Sequence, residues 1–67
     1  MDFNEYVQQG IEFFEARETD KAIENIEAAL KIQPDNVQIR RLLKQLKQLK
    51  QDEDTREYYE NLSGSYS

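Results

Sequence analysis

The stretch RRLLKQLKQLKQDED at residues 40–54 concentrates ionisable side chains. Arg40, Arg41, Lys44, Lys47 and Lys50 come first, and Asp52, Glu53 and Asp54 follow at once. Cations so placed can neutralise phosphates or pair with carboxylates. The whole chain holds 14 acids and 9 bases, with no histidine and no cysteine. Without histidine, the commonest general base and transition-metal ligand is missing. Without cysteine there is no thiolate and no disulfide. The carboxylates fall on predicted solvated helix faces, and no Lys stands with them as a nucleophile beside a base. No glycine loop is present to cradle a phosphate. The expectation is a protein that is not an enzyme and has no catalytic residue, cofactor or metal site.

The charges are sorted along the chain. Residues 1–30 hold eight acids and two bases, residues 31–50 six bases and one acid, and residues 51–67 five acids and one base, for a net charge of −5. An acidic chain is repelled by nucleic-acid phosphates, so no nucleic acid is expected as a partner. The alternation of sign suits pairing between segments of one chain or of two copies. The opening MDFNEYVQQG lacks a basic and then apolar leader, so no signal peptide is expected. No apolar run approaches the ~18 residues of a membrane span. These readings predict a soluble, cytoplasmic protein without a membrane partner. A chain of 67 residues is one small domain, marginally stable alone, and with no disulfide or metal the remaining support is oligomerisation.

Three helices carry these side chains. In the first, about 3–16, Phe3, Tyr6, Val7, Ile11 and Phe14 recur at helical spacing, and Asp2 with Glu5 forms a capping box. The second, about 20–32, has Thr19 as its predicted N-cap and Ala22, Ile23, Ile26, Ala29, Leu30 and Ile32 on its apolar face. Pro34 ends it. Asp35 and Gln38 offer a capping box for a third helix, about 36–61, that outreaches the first two at ~1.5 Å per residue. Residues 63–67, SGSYS, are expected to be a disordered tail, so the domain is 1–62.

Gly10 lies inside the first helix, where glycine costs about 1 kcal/mol against alanine, and so asks for a packing reason. Ala22 and Ala29 are likewise small on the apolar face. With Tyr6 four residues before the glycine, Phe13 three after it and Pro34 closing the second helix, the stretch 3–36 resembles a tetratricopeptide repeat. "KAIENIEAALKIQPDN" is especially similar. The sequence departs from the motif at Gln9, at Ile26, at Thr19 and at Arg17, which stands where a turn glycine is usual. The resemblance covers about half the chain. It implies an all-α helix-turn-helix hairpin, with Tyr6, Gly10, Phe13, Ala22, Ala29 and Pro34 as its structural motif, followed by a long third helix that caps it. In that arrangement Ile39, Leu43 and Leu46 close the core on the second helix.

The same resemblance implies a groove between the first and third helices. The first helix would present Val7, Ile11 and Phe14 there, and the third Arg41, Leu42, Gln45 and Leu49. The lysine and asparagines with which chaperone-binding members hold a peptide carboxylate have no counterparts, since Val7, Ile11 and Leu42 fill such places. An apolar floor suits a helix, an apolar peptide or a second copy. The expected role is a protein-protein interaction or scaffolding module that homodimerises through its third helix and groove. The alternative is a monomeric adaptor for a peptide or helix of another protein. Ile39, Leu42, Leu46 and Leu49 also have a/d spacing, but Glu53 and Arg56 break it after two heptads.

Overall fold

The computed structural model of the chain describes residues 1–65, with side chains described through residue 61. It is an all-α fold of three helices, α1 (Phe3–Glu15), α2 (Thr19–Ile32) and α3 (Val37–Ser65). Asp2 caps α1 by accepting the Glu5 N–H at 2.9 Å. The tight turn after α1 is a Schellman motif. Glu18 N–H donates to Phe13 O at 2.8 Å and Arg17 N–H to Phe14 O at 3.0 Å, which satisfies carbonyls that the helix end leaves open. Arg17 takes the left-handed position of this motif, with φ 63°. The position is one that glycine occupies without a Cβ penalty.

Two predicted caps are replaced. Thr19 is not the N-cap of α2. Glu18 holds that place, without a side-chain cap, and Thr19 begins the helix itself. The reason is tertiary: Thr19 is buried, and its hydroxyl donates to the Glu53 carboxylate of α3 at 3.2 Å. At α3, Asn36 rather than Asp35 supplies the cap, its Oδ1 accepting the Ile39 N–H at 3.0 Å. Asparagine is as good a capping residue as aspartate. The sequence reading also ends this helix at residue 61. It instead runs through Ser63 and Gly64 to Ser65. One glycine in a helix costs only about 1 kcal/mol and a long helix propagates cheaply, so Gly64 is no stop. Residues 66 and 67 of the expected tail lie outside the described residues.

α2 is the centre of the fold. α1 packs on α2 and α2 on α3, while no α-carbon of α1 lies within 8 Å of one of α3 among the described residues. α3 runs back along α2, so that Lys50 and Glu53 reach Asp20 and Thr19 at its start. The core is Ala22, Ile26 and Ala29 from α2 with Ile39, Leu43 and Leu46 from α3. The three α3 residues are those expected to close the hairpin. Phe3, Tyr6, Val7, Phe13, Ile23, Leu30 and Leu42 pack around them, partly buried. Small residues on α2 let it serve two neighbours at close range. A Cβ on Gly10 would stand 2.6 Å from Ile26 Cδ1 and 2.9 Å from its Cγ1, so α1 approaches α2 more closely than any other residue there would allow.

Candidate protein-interaction surface

Of the residues expected to form the groove, those on α1 make a stripe at i, i+4 and i+7. Val7 is half-buried against the core, while Ile11 and Phe14 are each 44% exposed. On α3, Leu42 is half-buried against the core and Leu49 is 40% exposed, with Arg41 and Gln45 exposed beside them. No α-carbon of one set lies within 8 Å of one of the other, because α1 and α3 each rest on α2. They form two flanks rather than one closed floor. The residues expected to form the structural motif differ in burial. Gly10, Ala22 and Ala29 are buried, Tyr6 and Phe13 are half-buried, and Pro34 is exposed in the turn between α2 and α3.

Ion pairs join the acidic and basic segments. Lys50 lies 3.1 Å from Asp20 on α2 and 3.5 Å from Asp54 one turn along α3. The Asp20 carboxylate, accepting a hydrogen bond from Lys50 Nζ, is the main cause holding the ammonium pKa above its usual value. On the other side of α2, Lys21 pairs with Glu18 at 3.4 Å and sits 5.5 Å above the Phe13 ring. Exposed pairs of this kind are screened by salt and contribute little each.

A second surface escaped sequence reasoning. α2 and α3 enclose a shallow depression of about 350 Å³, with Leu30 and Leu43 on its floor and Arg40, Lys44 and Lys47 on its rim. It adjoins another of about 310 Å³ that shares Leu30 and Leu43 and reaches Lys31 and Pro34. The signal lay in the spacing of residues 40, 44, 47 and 51, which share one helical face. Read alone, that face looks merely solvated, because the leucines beneath it come from two different helices. Beyond Glu53, α3 extends past the hairpin, and residues 54–61 are all exposed. Tyr58 and Tyr59 are 61% and 62% exposed, with their rings edge to face at 5.6 Å.

Among the described residues, no acidic cluster is placed to hold a metal ion, and no helix is long and apolar enough to cross a membrane. No family model, no curated protein and no solved structure matches the chain.

Proposed function

We propose that this chain is a protein-protein interaction module, a single tetratricopeptide-type repeat capped by a third helix, that associates with itself through α3 and the apolar flanks of the hairpin. The observation that carries the reading is the exposure of Ile11, Phe14 and Leu49, at 44%, 44% and 40%, beside a core of six buried apolar residues. Large apolar side chains left open in this way mark contact surfaces when they gather into patches. Repeat units of this type stack to bury a continuous core and gain stability from added neighbours. A second copy would supply such a neighbour and couple stability to concentration. The tight Gly10 contact and the paired alanines 22 and 29 support the repeat reading, since the motif uses small residues at those places.

The test is sedimentation equilibrium with far-UV circular dichroism across a concentration series. The wild-type chain is expected to dimerise in the micromolar range. Leu42→Glu with Leu49→Glu should give a monomer that is less helical than the wild-type dimer, with a helicity that does not change on dilution, whereas Leu43→Glu should unfold the hairpin by charging its core. A wild-type chain that stays monomeric and fully helical at high micromolar concentration would reject self-association in favour of an adaptor for another protein's peptide or helix.

A further inference from the structure

The basic depression between α2 and α3 and the acidic extension of α3 are complementary, and they cannot meet within one chain. α3 is a continuous helix, so its residues beyond Glu53 point away from Arg40, Lys44 and Lys47 on the same helix. We propose that the extension of one copy, Asp54–Asn61, docks in the depression of a second copy, with the two α3 helices antiparallel and crossing near Gln51. This rests on the self-association reading above but assigns it a different surface.

Three observations support that occupant. The first is charge. Residues 31–50 carry a net charge of +5 and residues 51–67 a net charge of −4, so the sign of the helix reverses close to its crossing point. An antiparallel pair of such helices opposes unlike charges along its whole length, and a parallel pair opposes like ones. Pairing about the midpoint between Lys50 and Gln51 sets Lys47 across from Asp54 and Lys44 across from Glu57. The second is length. From Arg40 to Gln51 the depression extends about 16 Å along α3, and the extension from Asp54 to Asn61 occupies about 11 Å of helix at ~1.5 Å per residue, so it fits. The third is the apolar component. Leu30 and Leu43 floor the depression, and Tyr58 on the extension is 61% exposed with nothing from its own hairpin over it. The antiparallel pairing brings Tyr58 to Leu43, giving an amphipathic ring an apolar bed and a basic rim. Because the contact is self-complementary, both copies contribute the same two surfaces, and a closed dimer results.

The experiment uses full-length charge-reversed variants. One carries Lys44→Glu and Lys47→Glu, and the other Asp54→Lys and Glu57→Lys. All four positions are exposed, so circular dichroism should find both variants helical. In each alone, depression and extension have the same sign. In a mixture, the two chains are complementary at both contacts. Sedimentation velocity at low salt is expected to give monomers for each variant and a 1:1 heterodimer on mixing, weakened tenfold or more by 0.5 M salt. Variants that dimerise alone as the wild type does, or a mixture that stays monomeric, would overturn the docking. If those variants still dimerise while Leu42→Glu with Leu49→Glu is monomeric, the apolar flanks are the interface and the extension is not. A variant that proves unfolded is replaced by the Tyr58→Ser chain, whose dimer constant should weaken at least tenfold; an unchanged constant would refute the proposal.

Discussion

Replacing Gly10 with alanine sets two known effects against each other. A glycine-to-alanine change inside a helix ordinarily stabilises it by about 1 kcal/mol. Here the new Cβ would meet Ile26 Cδ1 at 2.6 Å and Cγ1 at 2.9 Å, with the Ala22 carbonyl oxygen at 3.4 Å. Ile26 has no exposed surface, so its side chain has no solvent to swing into. Relief must come from parting α1 and α2 or from an off-rotamer isoleucine, and overpacking of this kind costs about 1–3 kcal/mol. The net expectation is a loss of about 1 kcal/mol, or a fall in melting temperature of roughly 4–8 °C for a domain of this size. The clash names its own remedy. Ile26→Val deletes the Cδ1 atom and leaves only the 2.9 Å approach, so Gly10→Ala should cost less in that background or become stabilising. Urea denaturation followed by far-UV circular dichroism, at one fixed protein concentration for all four chains of the cycle, measures the coupling between the two sites. A coupling of about 1 kcal/mol is expected. If Gly10→Ala stabilises the wild-type chain by the full helix-propensity increment, or acts identically in both backgrounds, α1 and α2 are not as close as described.

Two further changes probe the start of α2. Arg17→Gly removes a Cβ from the left-handed position of the Schellman turn and should stabilise the fold by about 1 kcal/mol, seen as a higher urea midpoint; a lower midpoint would contradict the positive φ. At the α3 contact, the Lys50 pKa is raised, so the stabilisation that Lys50 supplies is fully present below its unfolded value of 10.5 and is lost as pH rises through the higher folded value. The stability difference between wild type and Lys50→Gln should therefore hold steady from neutral pH and close only above pH 10.5, and a difference that persists at the highest pH would mean that packing, not the ion pair, is responsible.

Much of this fold was legible because the apolar residues keep helical spacing. Ile26, Leu43 and Leu46 announce their burial by position, and Gly10 by its apparent misplacement. The starts of all three helices and the ends of the first two lie within one residue of expectation. What misled were residues whose partners are distant in sequence. Thr19 has the chemistry of a cap, but Glu53, 34 positions away, takes its hydroxyl. Asp35 and Asn36 are both good caps, and only the path of the turn chose between them. The end of α3 was misjudged because Ser63 and Gly64 are weak breakers when a long helix already precedes them. Of the candidate surface, the α1 stripe of Ile11 and Phe14 was legible as exposed. The basic depression was not, since its floor joins Leu30 of α2 to Leu43 of α3 and exists only once the two helices are side by side.

The arrangement in which, among the described residues, α1 and α3 make their close backbone approaches only to α2 bears on how the chain opens and folds. The close backbone approaches fall at two nearest-neighbour interfaces, α1 with α2 and α2 with α3. α1 can detach while the α2–α3 pair remains, and α3 can detach while the α1–α2 hairpin remains, but no partial opening releases α2 and keeps anything else. Backbone amides of α2 should therefore exchange with solvent only through global unfolding, while those of α1 exchange through cheaper local openings. Each interface joins helices adjacent in sequence, so both can form by closing short loops, which favours folding on the microsecond-to-millisecond scale typical of helical domains with mostly local contacts.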